Sequence, residues 1–123
     1  MAGATAALGA TLAGISYRTF TAPLPRVKRA SLAALENMGM KPDSVGTFDA
    51  GEIIVARTPG VTVEIELEAL TERATRMRVA TRDGGLFYDA ATANEIVAQT
   101  QKMLEARRAS ASVRGAKRVN SFD

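Results

Sequence analysis

The chain has 123 residues, of which 46% are hydrophobic and 24% charged, and its formal net charge is +3 at pH 7. These values are typical of one globular domain that is long enough to bury a core. The sequence contains no cysteine and no histidine. It therefore excludes Cys or His metal ligands and Ser-His or Cys-His catalysis.

The positive charge comes from the C-terminal end of the chain. Residues 1–104 hold 11 Lys and Arg against 11 Asp and Glu. Residues 105–123 hold five cations against two acids, and these cations are Arg107, Arg108, Arg114, Lys117 and Arg118. The pI of about 9.7 is therefore a property of this tail and does not indicate a basic face on the domain.

Residues 1–14 are small, apolar and uncharged. No basic residue precedes Arg18, so a complete secretory signal is not indicated, and the stretch is too short to span a bilayer. We expect a flexible leader, with a remnant of an export or anchoring region as the alternative.

The next segments predict a strand and then a helix. Residues 15–21 are rich in β-branched and aromatic side chains, which favours a strand. Pro23 and Pro25 suit a helix start, and Gly39 suits the C-terminal cap. The residues on the apolar side of this helix are Val27, Ser31, Ala34, Leu35 and Met38.

Two hairpins follow. Residues 44–48 and 52–57 flank a turn at Asp49-Ala50-Gly51, in which we expect the glycine to allow a positive φ. Residues 61–68 and 75–82 both alternate between apolar and charged positions, so each is a strand with one buried face. An antiparallel register then aligns the apolar residues and also sets Glu68 beside Arg76 and Glu66 beside Arg78.

A last helix is predicted after the Gly84-Gly85 break, with Asp89 or Thr92 as its N-cap. Its apolar face consists of Ala93, Ile96, Val97, Thr100, Met103 and Leu104. From Ala106 onwards no periodicity remains, and we expect a disordered tail. The predicted organisation is a leader at 1–14, one α+β domain at 15–105 and a basic tail at 106–123.

The order β-α-β4-α predicts an α+β two-layer sandwich in which an antiparallel sheet carries both helices on one face. This succession resembles the single repeat of TATA-binding-protein-like folds and of helix-grip folds. Such a likeness concerns the fold and carries no function.

Five segments of residues 15–104 also resemble a domain-of-unknown-function family of small bacterial envelope lipoproteins: residues 17–25, 33–39, 63–67, 75–79 and 85–96. The resemblance implies a place in the cell envelope or periplasm. Family members carry a lipidated cysteine after their signal peptide, and Ala4 stands at that position here. We therefore expect either a start inside the true reading frame or an unlipidated relative, which would be cytoplasmic without an upstream signal.

The candidates for chemistry are weak. Glu64, Glu66 and Glu68 could bind a hard cation, but Arg76 and Arg78 would repel it. Gly84-Gly85 lacks every phosphate-loop motif. Ser31 and Thr100 lie on apolar helix faces and can bond to the preceding turn. The aromatic residues Tyr17, Phe20 and Tyr88 could stack bases, yet the open face of the sheet alternates acid and base.

We predict no catalytic residue, no cofactor and no metal, and therefore no enzyme. The expected function is a non-enzymatic interaction or small-ligand-binding module of the cell envelope, with a protein or a small ligand as its partner. The alternative is a nucleic-acid-binding protein that uses the tail. Five tail cations could also bind an anionic membrane surface, or they could serve only solubility: Arg107, Arg108, Arg114, Lys117 and Arg118.

Overall fold

The structure is a computed structural model that describes the backbone of residues 11–12, 15–83, 87–88 and 90–120, and the side chains of residues 15–82 and 91–106. It contains seven strands and two helices in this part of the chain. In chain order they are β1 (Thr11–Leu12), β2 (Ile15–Phe20), α1 (Leu24–Asn37), β3 (Pro42–Phe48), β4 (Gly51–Thr58), β5 (Val61–Thr71), β6 (Ala74–Asp83), β7 (Phe87–Tyr88) and α2 (Ala90–Asn120).

All strand pairs are antiparallel and belong to one sheet with the order β1-β2-β6-β5-β4-β3, while β7 pairs with β6. Both helices contribute to a single core on one face of this sheet. The predicted fold class, an α+β two-layer sandwich with an antiparallel sheet, is confirmed. The two-residue strands β1 and β7 were not predicted, and the finer likeness to TATA-binding-protein-like or helix-grip folds stays a prediction.

The register of β5 and β6 is the one that the two alternating patterns predict. Four cross-strand pairs define it: Leu67 with Met77, Ile65 with Val79, Glu68 with Arg76, and Glu66 with Arg78. The apolar members of these pairs are fully buried beneath the helices. Because side chains alternate between faces, the charged members lie on the open face.

The core consists of aliphatic side chains from the sheet and from both helices. The predicted apolar residues of α1 and α2 are buried or partly buried there, and Leu35 and Ile96 are fully buried. Ser31 and Thr100 are buried as well, and each hydroxyl donates a 2.8 Å hydrogen bond to the carbonyl four residues earlier, as predicted.

Helix α1 ends as the position of Gly39 predicts. Gly39 has φ +78°, and its N–H donates to the carbonyl of Glu36 while the N–H of Met40 donates to Leu35. These two bonds form a Schellman motif, which satisfies the last carbonyls of the helix. Met40 then turns into the core, where it is buried.

Gly51 has a different role from the predicted one. The glycines with positive φ in the described backbone are Gly39 and Gly60, so Gly51 does not adopt the positive φ that was predicted for it. Instead, a Cβ on Gly51 would lie 1.8 Å from the carbonyl oxygen of Leu67. The position requires glycine because β5 passes so close to its backbone.

Helix α2 differs from its prediction at both ends. It begins at Ala90, so Thr92 lies inside the first turn and is not the N-cap; Asp89 lies outside the described residues. The helix continues to Asn120, so the backbone is helical where disorder was predicted from Ala106. Alanine, arginine and lysine are good helix formers, and they extend a helix without an apolar stripe.

The leader also differs from its prediction in part. Thr11 and Leu12 pair with Ser16 and Ile15, and this pairing extends the sheet by one short strand. The backbone here is therefore ordered by hydrogen bonds rather than flexible. The rest of the predicted leader lies outside the described residues.

Candidate functional site

The open face of the sheet carries a ladder of opposite charges on β5 and β6. The guanidinium of Arg76 binds Glu68, and Nη1 of Arg78 lies 3.1 Å from Oε2 of Glu66 and 3.7 Å from Oε1 of Glu64. Each carboxylate of the predicted cluster is thus satisfied by an arginine on the neighbouring strand. This arrangement neutralises the acids that a hard cation would need.

Arg78 is the centre of this ladder. Burial lowers its pKa, but a side-chain hydrogen bond to Tyr17 and the charges of Glu66 and Glu64 outweigh that effect, so the pKa is raised above its ordinary value. Tyr17 lies directly opposite Arg78 on β2. The phenol oxygen of Tyr17 is therefore engaged with a guanidinium on the open face of the sheet.

The other predicted candidates bring together no reactive group in the described part of the chain. Phe20 is buried in the core beneath the helices, and the side chain of Tyr88 lies outside the described residues, as does Gly84-Gly85. Among the described residues, no group of three or more Asp and Glu side chains could hold a metal ion.

A polar seam joins β2 to α2 on the helix side of the sheet. Oγ of Ser16 donates to Oδ1 of Asn94 at 2.5 Å, and the guanidinium of Arg18 binds the side-chain oxygen of Gln101. Nε of Arg18 is buried and has no hydrogen-bond partner in the described residues. The sequence did not predict this seam. One side of β2 carries Ser16, Arg18 and Phe20, and this mixture of polar and apolar residues does not indicate which side of the strand faces the helix.

A cavity of about 510 Å³ opens beside the C-terminal half of α1. We name it the corner cavity; its lining residues are Arg29, Leu32, Ala33, Glu36, Gly39, Met40, Lys41 and Pro42. Its volume lies in the range of small-molecule sites, about 300–1,000 Å³. It offers a small molecule a concave, mostly apolar wall.

The corner cavity exists because of how α1 ends. Residues 29, 32, 33 and 36 have the spacing of one helix stripe, and this stripe lies outside the face that Val27, Ala30 and Leu35 bury. The Schellman turn at Gly39 then carries the chain alongside that stripe, so that Met40 to Pro42 form the second wall. The turn at Gly39 was the one sequence signal for the corner cavity. The stripe at residues 29, 32, 33 and 36 mixes charged and apolar side chains, so its pattern does not predict a binding surface.

Arg29, Glu36 and Lys41 line the cavity with charge. Within the described part of the chain, none of the three has an ion pair or a side-chain hydrogen bond. By contrast, Lys28, the residue before Arg29, binds Glu52 at 2.7 Å. Two cations and one carboxylate give the cavity a net positive charge. This favours an anionic group above an apolar body.

The five predicted tail cations all lie on α2. Their side chains lie outside the described residues, and only their places on the helix backbone can be compared. At about 100° per residue, positions 107, 114 and 118 fall within about 40° of arc, while 108 and 117 fall to either side. Helix formation therefore aligns three of the five positions, which a disordered tail would not do.

A scan against protein-family models gives no match for this chain, and a search of curated proteins gives none either. Among the described residues, no helix is long and apolar enough to cross a membrane.

Proposed function

We propose that this protein is a non-enzymatic binding module, and that the corner cavity binds a small amphipathic anion. The observation that carries the proposal is the cavity itself, with a volume of about 510 Å³ and a wall formed by Leu32, Ala33 and Met40. The resemblance to envelope lipoproteins adds the cell envelope as the expected location. The absence of histidine and cysteine from the sequence supports a role without catalysis.

The charges on the rim determine the class of ligand. Arg29 and Lys41 offer hydrogen-bond donors that no described carboxylate occupies, and Glu36 alone opposes them. An anionic head group would gain charge-assisted hydrogen bonds there, while its hydrocarbon part would cover the apolar wall. A cationic amphiphile of the same length would meet two like charges.

Calorimetry with laurate and with dodecylammonium, both below their micelle concentrations, tests this proposal. Laurate is expected to bind and dodecylammonium to bind more weakly. Arg29→Ala should weaken laurate binding by about tenfold, the loss of one charge-assisted hydrogen bond. Arg73→Ala is the matched control, because Arg73 is an exposed cation in the β5–β6 turn. Equal binding of both amphiphiles, or equal effects of the two substitutions, would contradict the proposal.

A second candidate function is nucleic-acid binding through the C-terminal part of α2. It is supported by the helical backbone to Asn120, which aligns positions 107, 114 and 118. Cations along one side of a helix can follow a phosphate backbone, and their contacts weaken steeply with salt. An anionic membrane surface would attract the same residues.

Truncation after Ala106 distinguishes this candidate from the first one. Leu104 is the last buried residue among the α2 side chains that the structure describes, so the shortened chain should keep its fold. Oligonucleotide binding at low salt should then be lost, while laurate binding should persist. If the truncated chain binds the oligonucleotide as well as the full chain does, the contacts lie elsewhere, and Arg76 and Arg82 on the open face become the residues to test.

A further inference from the structure

We propose that the free edge of strand β3 pairs with β3 of a second copy, so that two sheets join into one continuous sheet about a two-fold axis. The strand is the last one on its side of the sheet, and its only described partner is β4. Its outer row of backbone donors and acceptors is therefore open to another strand. The proposal is independent of the corner cavity.

Strand β3 exposes two large apolar side chains at the free edge of the sheet. The described residues contain three exposed large hydrophobic side chains, and two of them, Val45 and Phe48, lie on this strand. Val45 is 46% exposed and Phe48 is 41% exposed. A strand that leaves its apolar side chains uncovered in one copy gains from covering them in a complex.

Protective features lie only at the start of this strand, where Pro42, Asp43 and a register irregularity occur, and the rest of the strand lacks them. Residues 44–48 contain no charged residue and no proline, and the irregularity in the strand is confined to its start, between Pro42 and Ser44. Proteins commonly block free edges with lysine, proline or bulges to prevent pairing. Five consecutive residues of this edge, 44–48, therefore present no charge or proline to an approaching strand.

The segment is complementary to itself, and this identifies the partner as a second copy. With Gly46 on the two-fold axis, Val45 of one copy lies opposite Thr47 of the other, and Ser44 lies opposite Phe48. This register pairs all five uncharged residues with one another, and it matches two β-branched side chains of nearly equal shape. Such cross-strand pairs stabilise antiparallel sheets, and no like charges meet within the segment.

The pairing should stop at two copies. On the other side of the described sheet, the first two residues of β2 are already paired with β1. The proposed contact instead uses the β3 edge of both copies. An isologous contact through that edge is complete with two copies.

Sedimentation velocity over a wide range of protein concentrations tests the proposal on the full chain. Association is expected to depend on concentration, because a five-residue strand pair is a small interface. Val45→Lys should weaken the association about tenfold or more, because it introduces an unpaired charge at the contact. Leu70→Lys is the matched control, since Leu70 is 45% exposed but lies on β5, away from the free edge.

A double variant tests the register. Val45→Lys combined with Thr47→Glu sets opposite charges across the axis twice, so it should restore most of the lost association. Amide exchange at residues 44–48 should slow as the concentration rises. A chain that stays monomeric at its highest soluble concentration overturns the proposal, and so does association that Val45→Lys leaves unchanged or that the double variant fails to restore.

Discussion

Glu66 and Arg78 face each other across β5 and β6, with 3.1 Å between Oε2 of the acid and Nη1 of the guanidinium. The same guanidinium lies 3.7 Å from Oε1 of Glu64, two residues earlier on β5. Their side chains are about one third exposed, at 34% for Glu66 and 28% for Arg78. The ladder is therefore a set of surface ion pairs. It helps to fix the register of β5 and β6 and contributes little to the free energy of unfolding.

This relationship predicts a small coupling energy between the two residues. A double-mutant cycle with Glu66→Gln and Arg78→Gln should give about 0.2–1 kcal/mol in urea unfolding, as for other solvent-screened ion pairs. The coupling should shrink at about 1 M salt, because the charges are partly exposed. A value that is zero at low salt, or that does not change with salt, would contradict the assigned contact.

The register of this pair could be predicted because two independent patterns agree on it. The apolar residues of β5 and β6 align only when the acids of one strand face the arginines of the other, and both conditions lie in residues close in sequence. The helix cap at Gly39 could be predicted for a similar reason, because a Schellman motif depends on one nearby residue that accepts a positive φ. The buried faces of both helices followed from their periodicity.

The features that escaped prediction depend on distant parts of the chain. Gly51 is needed because the Leu67 carbonyl passes it, and nothing near residue 51 encodes that approach. Arg18 meets Gln101 across 83 residues of sequence. The corner cavity arises only when residues 40–42 fold back along α1. The length of α2 was missed because helical propensity persists without the apolar pattern on which the prediction relied.

Removal of the largest buried side chain in α1 should test how firmly that helix is held. Leu35 is fully buried between α1 and the sheet, so Leu35→Ala should destabilise the protein by about 2–5 kcal/mol. Leu70→Ala provides the control, because its side chain is 45% exposed and its loss should change stability by about 0.5 kcal/mol or less. Equal unfolding midpoints for the two variants would show that α1 is peripheral to the core.

Gly51 and Gly46 offer a matched test of how closely a neighbouring strand approaches the backbone of each glycine. Gly51→Ala should cost about 1–3 kcal/mol or more, since the new methyl group would overlap the Leu67 carbonyl oxygen. Gly46→Ala on the neighbouring strand meets only Cγ2 of Ile53 at 3.7 Å, which is an ordinary contact. That variant should be neutral or stabilised by about 0.4–1 kcal/mol. Thermal unfolding at low protein concentration measures both, and similar costs at the two positions would refute the distinction.

Two buried threonines separate a tertiary hydrogen bond from a local one. The hydroxyl of Thr75 donates to the carbonyl of Ala22 at 2.8 Å and ties the segment before α1 to β6. The hydroxyl of Thr100 donates over the same distance to the carbonyl of Ile96 in its own helix. That second carbonyl also accepts the backbone N–H of Thr100, so it keeps a partner when the hydroxyl is removed.

Valine has nearly the shape of threonine, so substitution at these sites isolates the hydroxyl. Thr75→Val leaves the buried Ala22 carbonyl without its described partner and should cost about 1–3 kcal/mol. Thr100→Val should stay within about 1 kcal/mol of the parent, because the Ile96 carbonyl remains bonded and the valine methyl joins the core. Urea unfolding of both variants decides the matter. A larger loss for Thr100→Val than for Thr75→Val would mean that the contact between Ala22 and β6 does not hold α1 onto the sheet.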